Sequence, residues 1–142
     1  MRLKIKLKKI NPSAKLPGYA HPGDAGLDLY STEDYTLQPG ERKVFFVGFG
    51  LEFPKGYVAT VHDKSSLPKN AGIHVMGGVY DAGYRGEYNV QLINHGAEAY
   101  QISKHDKIAQ LLIQPVVRAE LDEVNELNDS SRGQGRFGST GK

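Results

Sequence analysis

Cysteine is absent from the 142-residue sequence, which excludes disulfides, thiolate metal sites and a cysteine nucleophile. This absence suits a reducing compartment, and we expect a cytoplasmic protein. Long hydrophobic runs are missing as well, because none approaches the roughly 20 residues that span a bilayer. Segment 2–8 contains basic residues, but it lacks the apolar core of a secretory signal. We therefore expect no membrane partner.

An excess of one charge is also missing, since 18 basic and 16 acidic residues leave a formal net charge of +2. A dedicated nucleic-acid-binding domain usually carries a stronger and more clustered basic charge. We therefore expect no stable binding to nucleic acid. Basic residues in segment 2–8 alternate with Leu3, Ile5 and Leu7, and this period of two predicts a strand with one solvated face.

Glycine and proline, with 17 and 7 residues, leave little room for long helices. Strand signals recur between these breakers at residues 44–53, 57–62, 88–93 and 108–117. Short strands with turn signals about every 8–12 residues predict an all-β sandwich or barrel. The fold class predicted from the sequence is therefore all-β.

One short helix is predicted after Ser65 and Ser66, where serine suits the N-cap and Gly72 suits the end. Residues 129–142 contain a single aromatic and no aliphatic side chain, so burial cannot offset their ordering entropy. We expect two parts, a β-barrel over residues 1–128 and a flexible C-terminal arm over residues 129–142.

Several polar residues have two interpretations on the sequence alone. Asp81, close to glycines, is either a turn residue or a general base in a tight backbone pocket. Asp28 is either a turn residue or a carboxylate near a metal ion. Lys64 and Ser65 belong either to a helix cap or to a phosphate site.

The arm is equally ambiguous. Gly133, Gly135 and Gly138 have the spacing of a dinucleotide fingerprint, but no βαβ unit surrounds them and the signal is spurious. A functionless terminus and a phosphate-binding arm both fit. In the second case Arg132 offers a bidentate guanidinium and Phe137 offers a face for a flat base.

Five segments together resemble the five motifs of the trimeric dUTPase family, the deoxyuridine triphosphate nucleotidohydrolases. They are DAGLDLYS (24–31), KSSL (64–67), GVYDAGYRGE (78–87), DKIAQL (106–111) and RGQGRFGSTG (132–141). Each motif is weak alone, whereas five in this order over nearly the whole chain are specific.

The resemblance implies a distorted jelly-roll-like barrel, the dUTPase-like β-clip, assembled as a homotrimer with shared active sites. It implies Mg²⁺ as cofactor and dUTP as substrate. The implied reaction is hydrolysis to dUMP and pyrophosphate through attack of an Asp-activated water on the α-phosphate. Such a reaction limits uracil in DNA and supplies dUMP for thymidylate synthesis.

The resemblance also implies roles for single residues. Asp81 resembles the general base, and Gln110 resembles the glutamine that contacts the water or the phosphates. Asp28 resembles the carboxylate that reaches Mg²⁺ through water, as suits an ion that dehydrates reluctantly. The residues of the second motif resemble phosphate ligands: Lys64, Ser65 and Ser66.

Uracil recognition in the family comes from a β-hairpin, expected here at about residues 75–84. Gly77 and Gly78 would allow close approach of the base to the backbone, and Gly78 and Val79 are expected to contact the substrate. Tyr84 resembles the tyrosine that packs under deoxyribose. The arm would close over the substrate and exclude water. Its residues expected at the base and the γ-phosphate are Arg132, Phe137, Gly138, Ser139 and Thr140.

The sequence departs from the family pattern at three positions. Lys64 and Ser66 replace the usual Arg and Gly of the second motif, and Lys64 cannot form the bidentate fork of an arginine. Arg136 stands where glycine is usual in the fifth motif. We expect these differences to tune affinity rather than abolish activity.

Two rival functions share this fold. A dCTP deaminase, or a bifunctional deaminase and dUTP diphosphatase, needs a glutamate as proton shuttle where this chain has Gln91. An amide cannot shuttle protons, so deamination is disfavoured. A non-catalytic nucleotide-binding regulator would need neither Asp81 nor a complete arm.

Overall fold

A computed structural model describes residues 2–141 of the chain. Within this range eleven strands and one short helix form. The elements are β1 (Lys6–Lys9), β2 (Leu27–Tyr30), β3 (Tyr35–Leu37), β4 (Arg42–Phe46), β5 (Phe49–Glu52), β6 (Tyr57–His62), α1 (Ser66–Ala71), β7 (Ile73–Val75), β8 (Val79–Asp81), β9 (Asn89–Asn94), β10 (Tyr100–Ile102) and β11 (Lys107–Pro115). The predicted all-β class is confirmed.

The strands pair into four antiparallel sheets around one apolar core. The largest sheet has the order β2-β11-β6-β8, and a three-stranded sheet has the order β4-β9-β7. Two smaller sheets pair β1 with β5 and β3 with β10. The layered, jelly-roll-like arrangement is confirmed, although the ladders of the described strands do not close into one continuous barrel.

The core is filled by alternate residues of these strands, because successive strand side chains point to opposite faces. Phe49 stacks on Tyr88 with ring centroids 5.8 Å apart, and Tyr35 meets the edge of Phe45 at the same distance. The largest fully buried side chains are Tyr88, Phe45, Phe49, Leu29, Leu37, Ile73, Leu92, Ile102, Ile108 and Leu111.

Two predicted strands differ from the structure for identifiable reasons. The segment 44–53 forms β4 and β5 rather than one strand, because Gly48 has φ +80° and breaks the pairing. The N-terminal strand begins only at Lys6, and Leu7 within it is 37% exposed. The alternation in 2–8 therefore does not bury one full face.

The predicted helix is confirmed as the six residues of α1. It ends at Gly72, which has φ +69° and donates its N–H to the carbonyls of Leu67 and Pro68. Ser65 occupies the N-cap position, but its side chain makes no capping hydrogen bond. The predicted serine cap is therefore wrong in this respect.

Candidate active site

The first, second and fourth motifs meet at one end of the largest sheet. Gln110 of β11 lies opposite Asp28 of β2 and opposite His62, the last residue of β6. The chain then continues from His62 through Asp63 into the second motif. We call this group the lysine half-site, and it consists of Asp28, Lys64, Ser65, Ser66 and Gln110.

Asp28 is the electrostatic centre of the lysine half-site. Asp28 is only 2% exposed, and its Oδ1 accepts a hydrogen bond from Nζ of Lys64. Nζ of Lys107 lies 2.9 Å from Oδ2 and forms a second ion pair. Burial opposes ionisation, but the two ammonium groups outweigh it, so the pKa of Asp28 lies below its ordinary value. The contact with Asp28 raises the pKa of Lys107.

Lys107 was missed by the sequence analysis, although it lies within the fourth motif. Its position opposite Tyr30 on β2 brings it to Asp28, which is 79 residues away in the chain. The alternation of β11 shows which face a residue occupies, but not which residue of β2 it meets. The register between the two strands is the missing signal.

These residues do not form a direct metal site. Among residues 2–141 no group of three or more histidine, aspartate or glutamate side chains could hold an ion. Asp28 faces two ammonium groups, which repel a divalent cation from its carboxylate. A directly bound Mg²⁺ therefore does not fit the donor set.

The ion pairs of Asp28 predict a stability effect. We expect Asp28→Asn to lower the free energy of unfolding at pH 7, because a buried amide would face two uncompensated lysines. The loss should stay below the about 3–5 kcal/mol of a fully buried broken pair, since both lysines reach solvent. Urea denaturation measures it. Asp34→Asn, at an exposed aspartate, serves as control, and an equal loss in both variants would contradict the expectation.

Gln110 is held in one orientation by its neighbours. Its Nε2 donates to the backbone carbonyl of Asp63 over 2.7 Å. Its Oε1 and Cδ lie against Gly26, where any Cβ would collide with them. The glycine of the first motif thus leaves the space that the amide of the glutamine in the fourth motif occupies, and a larger residue there would displace that amide.

A second group of predicted residues begins just before β8 and extends into the loop that follows it. We call Gly78, Val79, Asp81 and Tyr84 the tyrosine half-site. Asp81 is exposed, and its side chain makes no hydrogen bond or ion pair within residues 2–141. Tyr84 donates its hydroxyl to the carbonyl of Glu87 and lies over Gly86. The carboxylate of Asp81 is thus open to a ligand.

The expected hairpin at residues 75–84 is replaced by a corner between two sheets. β7 pairs with β9, whereas β8 pairs with β6. The turn contains Gly77 and Gly78, which have φ +71° and +113°. Gly78 packs so closely on Val61 that a Cβ there would collide with it, whereas a Cβ at Gly77 would meet open space. We call residues 76–78 the glycine corner.

A cavity of about 280 Å³ opens beside the glycine corner. All four residues of the tyrosine half-site line it. Three further lining residues were not predicted as ligand contacts: Tyr80, Asn89 and Gln91. Gln91 therefore lies in the same cavity as Asp81, with an amide where a deaminase would need an acid.

Asp81 and Gln110, the two predicted catalytic residues, lie apart within one chain. Asp81 is opposite Val58 on β6, whereas Gln110 is opposite His62 at the other end of that strand. Four residues of a strand span about 13 Å. A single chain therefore does not bring Asp81 together with the residues of the lysine half-site.

The arm residues contact neither half-site through hydrogen bonds. Within the described range, every hydrogen bond of residues 129–141 stays inside that segment, such as Arg132 Nε to the Gly135 carbonyl at 2.9 Å. Phe137 is 91% exposed, and the Arg136 guanidinium lies 4.7 Å from its ring centroid. The structure does not bring Arg132, Phe137, Gly138, Ser139 or Thr140 to the other predicted residues.

In the described part of the chain, no helix has the length and apolar character needed to cross a membrane. The fold and the side chains together define a class of protein, an antiparallel β protein with two polar sites. One site has the unpaired carboxylate of Asp81 in an open cavity, and the other has lysines around Asp28 at one end of the largest sheet.

Comparison with known proteins shows the family of the chain. A dUTPase family model matches residues 12–141. A deoxyuridine 5'-triphosphate nucleotidohydrolase of Clostridium tetani is 45% identical over 140 residues, which cover 97% of each chain. The chain therefore belongs to the dUTPase family.

Two solved structures share the fold. A variant dUTPase of Staphylococcus bacteriophage 80alpha with dUpNHpp has a TM-score of 0.92 and 28% identity, covering 98% of this chain and 99% of that one. A variant of the phage phi11 enzyme of S. aureus, described with a coordinated structural Mg(II) ion, has a TM-score of 0.81 and 27% identity. It covers 87% of this chain and 97% of its own.

Proposed function

We propose that this chain hydrolyses dUTP to dUMP and pyrophosphate, as a dUTP diphosphatase. The family match and the nucleotidohydrolase of Clostridium tetani support this activity. The observation that carries the proposal is the unpaired carboxylate of Asp81 in the cavity beside the glycine corner. Such an enzyme limits uracil in DNA and supplies dUMP for thymidylate synthesis. Since deoxynucleotide pools lie in the cytoplasm, we also propose that location.

In the proposed reaction Asp81 accepts a proton from the water that attacks the α-phosphate. The P–O bond to the bridging oxygen breaks, pyrophosphate leaves, and the new P–O bond gives dUMP. A positioned general base contributes about 10²–10⁴-fold to such a step. Among the described residues no lysine or arginine side chain pairs with the carboxylate of Asp81, and this supports its role as proton acceptor.

The nucleoside would occupy the cavity of the tyrosine half-site. Backbone groups of Gly78 and Val79 would hydrogen-bond uracil, and Tyr84 would pack under deoxyribose. A narrow slot would exclude the methyl group of thymine by steric clash. The hydrogen-bonding groups of cytosine would not match the backbone groups that face the base, so buried polar groups would stay unpaired.

The triphosphate would bind the lysine half-site as its Mg²⁺ complex. Mg²⁺ neutralises phosphate charge when bound, and Asp28 would reach it only through water. Lys64, Ser65 and Ser66 would supply an ammonium group, hydroxyls and backbone N–H groups to the phosphate oxygens. Gln110, oriented by Asp63 and Gly26, would contact the water or the phosphates.

We further propose a homotrimer with shared sites, in which the lysine half-site of one chain completes the tyrosine half-site of its neighbour. The displacement of about 13 Å along β6 between Asp81 and Gln110 of one chain supports this assembly. Val79 and Phe46 support it too, being apolar and 71% and 52% exposed in the single chain. Residues 1–128 would form the body, and residues 129–142 the flexible arm that closes over a site.

The arm would contribute the last contacts to the substrate. Phe137 would stack on uracil, which fits a side chain that contacts no other aromatic ring in the described structure. The proposed ligands of the γ-phosphate are Arg132, Ser139 and Thr140. Gly138 would contact the substrate when the arm is closed.

Product analysis tests the proposal. Purified protein with Mg²⁺ is incubated with dUTP and dCTP separately, and chromatography follows nucleotide and pyrophosphate. We expect dUMP and pyrophosphate from dUTP and no change in dCTP. Conversion of dCTP to dUTP or dUMP would favour the deaminase. Binding of both nucleotides without turnover would favour a regulator. Asp81→Asn protein, prepared in parallel, controls for contaminating phosphatase.

A further inference from the structure

Lys107 contacts the central carboxylate of the lysine half-site but has no role in the reaction proposed above. Its Nζ lies 2.9 Å from Oδ2 of Asp28, while Nζ of Lys64 donates to Oδ1. All three side chains belong to one chain. They therefore stay together whichever chain supplies the tyrosine half-site.

A β-bulge in β11 turns the side chain of Lys107 toward Asp28. Between Lys107 and Ala109 the register with β2 shifts, so that Lys107 lies opposite Tyr30. With regular pairing Lys107 would lie opposite Ser31, and its side chain would point to the other face of the sheet. The bulge instead places it on the face of Tyr30, which is also the face of Asp28 because strand side chains alternate.

The two lysines hold the carboxylate of Asp28 in different ways. Lys64 donates a hydrogen bond to Oδ1. Lys107 approaches Oδ2 outside the directions of a hydrogen bond, so within residues 2–141 this oxygen accepts none. Buried carboxylate oxygens normally accept hydrogen bonds. Asp28 can therefore exchange donors, because Oδ2 is able to accept an aligned ammonium group when Lys64 turns to another anion.

The charge balance of the lysine half-site depends on Lys107. Two ammonium groups and one carboxylate give these three side chains a net charge of +1. The Asp28 side chain is 3% exposed, and a carboxylate buried so deeply is strongly destabilising without a cation. If Lys107 were missing, Lys64 would be the only cation left to Asp28. An incoming phosphate would then compete with that carboxylate for one ammonium group.

We propose that Lys107 is a positioning residue that neutralises Asp28, so that Lys64 is free to bind the phosphates of the substrate. This rests on the proposed dUTP hydrolysis, in which Lys64 is a phosphate ligand. Loss of Lys107 should weaken phosphate binding. Additional loss of the Asp28 charge should restore it, because Lys64 would then face no competing anion.

The test measures binding of pyrophosphate and of deoxyuridine to wild-type protein, to Lys107→Met and to the double variant that combines Lys107→Met with Asp28→Asn. Titration at low ionic strength in EDTA keeps charge effects large and excludes any contact of Asp28 with Mg²⁺. We expect about tenfold weaker pyrophosphate binding in Lys107→Met, and an affinity within about threefold of wild type in the double variant. Deoxyuridine should bind all three proteins equally, because these residues do not line its proposed cavity.

Further variants separate the charge of Lys107 from its contribution to folding. Lys107→Gln keeps a donor for Oδ2 and removes only the charge, so it should repeat the methionine result even if methionine disturbs the fold. Lys107→Arg keeps the charge and should bind pyrophosphate within about threefold of wild type. Lys43→Met breaks an ion pair with Glu33 at 2.6 Å on another sheet and should leave pyrophosphate affinity unchanged.

Turnover of dUTP by the wild type tests the proposed function separately, because it depends on no variant. The positioning role is overturned if Lys107→Met binds pyrophosphate as tightly as wild type does, or if wild type binds none. It is equally overturned if the double variant stays as weak as Lys107→Met, since Lys107 would then contact the phosphate itself. A parallel loss of deoxyuridine affinity would also contradict it, because that result describes an unfolded protein.

Discussion

Replacement of Asp81 by asparagine is expected to lower kcat for dUTP by about 10²–10⁴-fold, the contribution of a positioned general base. Asparagine has nearly the same shape, but its amide cannot accept the proton of the attacking water. Asp81 is exposed and unpaired within the described residues, so folding should be unaffected. Single-turnover kinetics measures the chemical step, and dUpNHpp titration measures binding.

Binding should be retained or become tighter in Asp81→Asn, since one negative charge near the triphosphate is removed. Glu87→Gln is the matched control because it removes the same charge from the loop that follows β8. We expect its kcat to stay close to wild type. Full turnover by Asp81→Asn would show that another group accepts the proton.

Deletion of residues 132–142 is the second change with a large expected effect. The described arm residues make hydrogen bonds only among themselves, so their loss should change the free energy of unfolding by less than about 0.5 kcal/mol. Turnover should fall by about 10²–10³-fold, the usual cost of losing a group that stabilises charge in the transition state. Urea denaturation and steady-state kinetics of the same preparation give both values.

Single substitutions locate the effect within the arm. Arg132→Ala should reproduce most of the deletion, because its guanidinium is the proposed γ-phosphate ligand. Arg136→Ala should cost much less, since Arg136 lies against Phe137 and has no proposed phosphate contact. An arm deletion that lowers stability and turnover in parallel would show that the arm is a structural element instead.

Local patterns predicted the elements well where a short segment decides its own conformation. The strand at 57–62 and the helix with its end at Gly72 are confirmed, because alternation and a left-handed glycine act within a few residues. The strand at 44–53 was only half right. Its break lies at Gly48, whose φ of +80° is compatible with glycine but is not announced by the apolar residues on either side.

Some residues of the candidate site were likewise predictable from local sequence, whereas others depended on contacts between distant segments. Residue types and their order indicated Asp81, Gln110 and the second motif, because a base, an amide and phosphate ligands are chemically recognisable. Lys107 carried no such signal. A lysine on a strand is an ordinary residue until the strand register places it at Asp28.

By itself the sequence determined the all-β class, since that depends on alternation and turn residues. It also indicated the family and the chemical groups available for the reaction, through five segments that resemble the family motifs in their order. Only the tertiary structure decided that the glycine corner joins two sheets and that two lysines neutralise Asp28. It also decided that Asp81 and Gln110 lie about 13 Å apart along β6. The physical reason is that strand register and sheet pairing join distant segments of the chain. The alternation of apolar and polar residues within one strand does not show which other strand it pairs with, or in which register.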